Sequence, residues 1–230
     1  MKFLLTNDDG VEADGLLTLA DLLGRRGDVV VVAPNRENSG CSHVVTVDRP
    51  LQLRELRPAW YSLDCTPADC VRVAMSHLAL DVDWVVSGIN AGGNLGVDVF
   101  MSGTVAAARE ATLFGRRAIA ISHYRASRNP IDWTRAARWA EAVIERVMAA
   151  PHEPGTYWNI NLPDPPQATP DLMPPMIECP LDVNPLSFRY EPTVDGLLYL
   201  GRYQDRRTES DCDVTLCFGG AITLTRIGLP

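Results

Sequence analysis

Two carboxylates stand side by side where the first apolar run ends: in MKFLLTNDDGVEADG, Asp8 and Asp9 follow KFLLT directly and precede a glycine. Adjacent negative charges at a strand end repel each other, and a turn or a helix cap needs one aspartate rather than two. A hard divalent cation such as Mg²⁺ or Mn²⁺ offsets the repulsion, because it takes carboxylate oxygens as ligands. On this stretch alone, a turn and a cation site are evenly matched readings.

Three further polar, glycine-bearing stretches widen the choice of chemistry. PNRENSG offers Asn38 and Ser39 as neutral oxygen ligands or phosphate donors, although by itself it reads as an ordinary polar loop. SGINAGGNLG spaces Asn90 and Asn94 among Gly88, Gly92, Gly93 and Gly96. It is neither a P-loop nor a G-x-G-x-x-G fingerprint; it suits a flexible loop, or an anion held beside a metal. SGTVAAA opens a helix, so Ser102, Gly103 and Thr104 lie where free N–H groups and the helix dipole favour a phosphate. Either hydroxyl could equally be a plain N-cap. His43, His77 and His123 are scattered and read as structural or surface residues, and Arg206–Arg207 beside Asp205 reads as a solvated face. No G-x-S-x-G elbow supports Ser–His–Asp chemistry. The 6 cysteines (41, 65, 70, 179, 212 and 217) form no C-x-x-C pair, so they read as reduced packing thiols rather than zinc ligands.

These stretches need a scaffold that brings them together. KFLLT reads as a short buried strand, Leu16–Leu23 as an amphipathic helix, and DVVVVAP as a strand covered on both faces. TVDRPLQLREL reads as a more exposed strand or hairpin arm. Thr66, Pro67 and Asp69 give CTPADCVRVAMSHLAL the start of a capped helix. DWVVSG, RAIAIS and YWNINLP read as core strands, separated by helices at TVAAAREATLF and Ile131–Ala149. This β-α-β-α series predicts an α/β fold: a three-layer, Rossmann-like, mostly parallel sheet with helices on both faces. In such sheets ligands bind at the carboxyl ends of the strands, where all four polar stretches fall. Beyond it come the proline-rich PDPPQATPDLMPPM, a hairpin within SFRYEPTVDGLLYLGRYQDRRTESD, and TLCFGGAITLTRI as a closing strand. The chain divides accordingly into a catalytic core, 1–165, and a C-terminal extension, 166–230.

Composition narrows the partners. A net charge of −8 argues against a nucleic-acid duplex. It also means that a phosphorylated small molecule must be captured by a local positive element. No apolar run approaches the roughly 18–20 residues of a membrane span, and the stretch after Lys2 is too short for a signal peptide. A cytoplasmic protein is expected.

In order and spacing, TNDDGVEADG, VVAPNRENSG, TPADCV, VVSGINAGGNLG and SGTVAAAREA resemble the survival protein E (SurE) family, metal-dependent phosphatases of nucleoside 5′- and 3′-monophosphates, some of which trim polyphosphate. The resemblance implies one divalent cation, Mg²⁺ or Mn²⁺, on Asp8, Asp9, Ser39 and Asn90, with Asp8 and Asp9 catalytic. It implies a substrate phosphate at Asn94 and at Ser102, Gly103 and Thr104, and a homodimer or homotetramer. Cys65 stands where a glycine usually precedes Thr-Pro, and Arg226 where proline is usual. A binding module of the same fold without turnover is the alternative. A nicotinamide-dependent dehydrogenase is disfavoured by the missing dinucleotide fingerprint.

Overall fold

Alternating side chains on the first strand set the layering. A computed structural model describes residues 1–127, 129–164, 172–186, 188–201 and 203–229. The first half comprises β1 (Lys2–Thr6), α1 (Asp14–Gly24), β2 (Asp28–Pro34), β3 (Leu53–Arg57), β4 (Trp60–Leu63), α2 (Pro67–Ser76), β5 (Trp84–Asn90) and α3 (Gly103–Leu113). The second comprises β6 (Arg117–His123), α4 (Trp133–Ala149), β7 (Thr156–Leu162), β8 (Met176–Glu178), β9 (Tyr190–Thr193), β10 (Gly196–Tyr199), α5 (Asp213–Phe218) and β11 (Ile222–Gly228). Phe3 and Leu5 join one core and Leu4 the other, as expected of a strand buried on both faces. Val31 and Val86 fall on the first side, under Leu16, Leu19 and Leu23 of α1 and Trp139, Val143 and Val147 of α4. Val30, Val32 and Val85 fall on the second, under Cys70, Val71 and Ala74 of α2 and Val105, Ala108 and Ala111 of α3. The result is a three-layer α/β fold.

The main sheet runs β3-β4-β2-β1-β5-β6-β7-β11-β8, and β9 and β10 pair as a separate hairpin. Strands β4, β2, β1, β5, β6 and β7 are parallel, while β3 and β11 run antiparallel to β4 and β7. From β1 the chain crosses to β2 on one side and returns to β5 on the other. The crevice beyond the carboxyl ends of β1 and β5 is therefore the topological switch point.

Local chemistry explains the element ends. Thr66 and Asp69 form a reciprocal capping box on α2. Asp132 caps α4 through the Arg135 N–H at 3.0 Å, so that helix starts at Trp133 rather than Ile131. Two expectations need correction. The TVDRPLQLREL stretch does end in an exposed hairpin arm, antiparallel to β4, but that strand starts only at Leu53 and runs to Arg57, one residue beyond the stretch; at the other end Asp69 takes both the backbone N–H and the hydroxyl of Thr46. The expected closing strand begins only at Ile222, since Asp213–Phe218 is a helix. That helix turns Val214 and Cys217 inward, against Leu95 and Tyr124, and the buried Asp213 carboxylate accepts the N–H groups of Gly96 and Asp182, each at 2.8 Å. Strand β8, which pairs with β11, begins at Met176, the last residue of the proline-rich stretch. Residues 165–171 of that link lie outside the described residues. Among the described residues no helix is long and apolar enough to cross a membrane.

Candidate active site

A tight turn after β1 presents the two carboxylates. Asn7 clamps it, its Nδ2 donating to the Gly10 carbonyl at 2.8 Å while its Oδ1 accepts the Gly10 N–H at 3.2 Å. Gly10 has φ +109°, a backbone region closed to most side chains. Asp8 is buried and Asp9 half-buried.

The start of α3 rests directly on Asp8. The hydroxyl of Thr104 donates to Asp8 Oδ1. At Gly103 a Cβ would stand 3.0 Å from the Cβ of Asp8 and 2.7 Å from the thiol of Cys41, so this position requires glycine. Ser102 caps the helix, accepting the Val105 N–H at 3.1 Å, and also lines the cavity beside the carboxylates. Asp9 is fixed separately: its Oδ2 accepts the Ala91 N–H at 3.0 Å, across from the end of β5.

The loop after β2 closes another side. The Asn38 N–H donates to the Asp8 carbonyl at 2.7 Å. Ser39 donates its hydroxyl to Glu37 at 2.6 Å, which leaves the serine lone pairs directed elsewhere. Further along, Ser42 bonds the carbonyls of Phe100 and Met101. His43 meets Glu110 of α3 at 2.7 Å, on the carboxylate that also receives Arg72 at 2.7 Å. Burial alone would raise the Glu110 pKa; His43 and Arg72 outweigh it and hold the carboxyl below its ordinary range.

On the β5 side, Asn90 turns its amide N–H to the Gly92 carbonyl at 2.8 Å, leaving its oxygen as the acceptor end. Asn94 is nearly immobilised. Its N–H donates to Asn161 Oδ1 and its side-chain amide to Ser122, both at 2.8 Å, while its carbonyl accepts from Asn159 and Asn161. Arg206 locks the same loop from the C-terminal extension, pairing with Asp98 at 2.7 Å and donating to the Leu95 carbonyl at 3.2 Å. With only 8% of its side chain exposed, Arg206 is not the solvated residue its dipeptide suggested.

Asp8, Asp9, Ser39, Asn90, Asn94 and Ser102 therefore share one cavity of about 320 Å³. Gly103 and Thr104 lie behind it, against Asp8, and Thr104 is fully buried. Sequence reasoning missed Glu37 and Asp98, which also line the cavity; the only signal was a carboxylate within a loop already singled out. No lysine or arginine is among the described lining residues. Burial, reinforced by Asp9, pushes the Asp8 carboxyl up to about 6. Burial also raises Asp9, with Glu37 adding to the effect. The cavity thus gathers Asp8, Asp9 and Glu37 with no cationic side chain in its described lining, while its fourth carboxylate, Asp98, is paired with Arg206.

That donor set fits a hard divalent cation. Among the described residues no three His, Cys, Asp or Glu side chains gather into a closed metal cage. A cation here would rest on two carboxylates and neutral oxygens, the open arrangement that Mg²⁺ and Mn²⁺ accept while keeping water or substrate oxygens.

Known proteins resemble this chain over most of its length. The chain is 42% identical over 229 residues to a protein of Nostoc sp. (strain PCC 7120), covering 99% of both. It is 48% identical over 166 residues to the 5′-nucleotidase SurE of Anaeromyxobacter sp. (strain K), covering 71% of this chain and 64% of that one. The crystal structure of the SurE protein from Aquifex aeolicus superposes with a TM-score of 0.86 at 30% identity, covering 100% of this chain and 94% of that one. With the family model for survival protein SurE matching residues 3–174, the chain belongs to the SurE family.

Proposed function

We propose that this chain is a metal-dependent phosphomonoesterase, a 5′-nucleotidase that hydrolyses nucleoside 5′-monophosphates to nucleoside and phosphate. Nucleoside 3′-monophosphates and short polyphosphate are secondary substrates in this reading. The observation that carries it is the Asp8–Asp9 pair, held at the switch point in an acidic cavity without a cationic side chain in its described lining and abutting the N-terminus of α3. The name of the Anaeromyxobacter relative supports the substrate class.

Asp8, Asp9, Ser39 and Asn90 would hold one Mg²⁺ or Mn²⁺ ion. Glu37 accepts the hydrogen bond of the Ser39 hydroxyl, which would leave the serine lone pairs free for the ion. When bound, the ion supplies positive charge to the phosphoryl oxygens and acidifies water. The remaining work belongs to the chain. Thr104 and the Ala91 N–H fix the two carboxylates in single orientations. Asn94, already immobile, and the N–H groups at the start of α3 receive the phosphoryl oxygens as charge shifts. Thr104 contributes through its backbone and through Asp8, since its hydroxyl is committed. Asp9, the more accessible carboxylate, orients the attacking water and accepts its proton. Adjacent aspartates suit direct attack by water better than an aspartyl-phosphate route. In the same reading residues 1–165 carry catalysis, residues 166–230 form the rim and contacts of a homodimer or homotetramer, and the protein works in the cytoplasm.

Phosphate release from AMP and other mononucleotides tests the proposal. Release is expected with Mn²⁺ or Mg²⁺ and its abolition with EDTA; no metal-dependent release from any mononucleotide would refute it.

A further inference from the structure

The loop that carries Ser39 follows one face of α3. Its tip is a turn closed by the Cys41 N–H on the Asn38 carbonyl at 3.2 Å, with Gly40 at φ +70°. Ser39 and Gly40 are both exposed, so burial does little to place the serine oxygen. Its orientation depends instead on how the two feet of the turn are fixed. One foot is the Asn38 N–H on the Asp8 carbonyl. The other is the segment Cys41–His43. Gly103 and Glu110 stand at i and i+7 of α3, on one helix face; Cys41 lies against the first and His43 bonds the second.

We infer that His43 is a positioning residue for the cation site: it pins the second foot of the Ser39 turn to the helix whose start meets Asp8, and so sets where the serine oxygen stands relative to the carboxylate pair. This rests on the cation site of the phosphatase reading above. The polarity of the contact is fixed. Arg109 meets His43 Nδ1 at 3.3 Å, and a guanidinium can only donate, so Nδ1 accepts and Nε2 carries the proton to Glu110. The same guanidinium donates to the Tyr157 hydroxyl of β7 at 3.3 Å and to the Val99 carbonyl at 3.0 Å. Arg72 of α2 holds the other oxygen of Glu110, whose side chain is only 2% exposed. The imidazole therefore ties the loop into a network that α2, α3 and β7 already hold rigid. None of His43, Arg109 and Glu110 is among the described residues lining the acidic cavity, so His43 acts through Ser39 rather than on the ion.

The experiment titrates Mn²⁺ calorimetrically into metal-stripped wild type, His43→Ala, Ser39→Ala and the double variant. His43→Ala should raise the Kd for Mn²⁺ roughly threefold to tenfold, less than the roughly tenfold to hundredfold that follows loss of a group bonded directly to a metal ligand. His43→Gln, which returns an N–H to Glu110, should recover most of the affinity. In the Ser39→Ala background the same His43→Ala change should alter the Kd by less than about twofold, because its effect passes through the missing hydroxyl. An equal loss in both backgrounds overturns the inference, as does unchanged Mn²⁺ affinity in folded His43→Ala or in Ser39→Ala. If His43→Ala does not fold, His43→Leu fills the space without the hydrogen bond and serves the same cycle. A wild type that binds Mn²⁺ yet releases no phosphate from any mononucleotide ends the phosphatase reading, and the cycle still decides the role of His43. A wild type that binds no Mn²⁺ removes both.

Discussion

Replacing Asp9 by asparagine is expected to lower phosphate release from AMP by at least about a thousandfold while leaving the fold intact. The Ala91 N–H can still donate to the asparagine oxygen, so the turn keeps its shape. What disappears is one of the two negative charges that hold the cation and the group that accepts the water proton. Because both losses act on the reaction more than on initial docking, kcat should fall further than KM rises. Steady-state kinetics with a matched circular dichroism spectrum checks this. A folded variant with near-native kcat would remove Asp9 from the mechanism.

Asp8→Asn should separate stability from activity. The Asp8 carboxyl titrates near 6 because it is buried and faces Asp9, against an ordinary value of 3.8. An acid whose folded pKa is raised makes folding less favourable as pH rises from its unfolded value to its folded one. Below about pH 4 the group is neutral in both states and costs nothing. Above about pH 6 the penalty is complete, about 3 kcal/mol for a shift of this size. Metal-free Asp8→Asn should therefore unfold at higher denaturant concentration than metal-free wild type at pH 8, by about 1–3 kcal/mol, with the gap closing near pH 4. Asparagine preserves an acceptor for the Thr104 hydroxyl, so that contact is not the source of the difference. Turnover should nevertheless be lost. A variant less stable than wild type at pH 8 would mean that Asp8 is not held under electrostatic strain.

The contrast between these aspartates and Thr104 indicates what the sequence could reveal. Three of the polar loops were recognisable because each follows an apolar run, the fourth because it opens a helix, and a parallel sheet gathers such loops at one edge. Even so, proximity to a helix start did not specify which atom meets which. The Thr104 hydroxyl bonds a carboxylate 96 positions away and not a ligand, a consequence of how closely Gly103 lets α3 approach β1. Arg206 was hidden for a similar reason. Its partner Asp98 lies 108 residues earlier, so the local charge pattern around Asp205–Arg207 suggested solvent. The helix at Asp213–Phe218 escaped because its few inward residues, Val214 and Cys217, face a small satellite core rather than a sheet. With so few contacts its apolar pattern is too short to distinguish from a strand. Glu37 gave no sign beyond its charge, and its role depends on the hydrogen bond to Ser39.

The central claim is that Asp8 and Asp9 together hold the cation on which turnover depends. Titrating Mn²⁺ into metal-stripped protein, with bound ion and AMP hydrolysis followed in the same samples, tests it most directly. The account predicts one ion per chain, activity rising in proportion to occupancy, and loss of both in Asp8→Asn/Asp9→Asn. Full hydrolysis by the metal-stripped chain, or undiminished Mn²⁺ binding by the double variant, would contradict it.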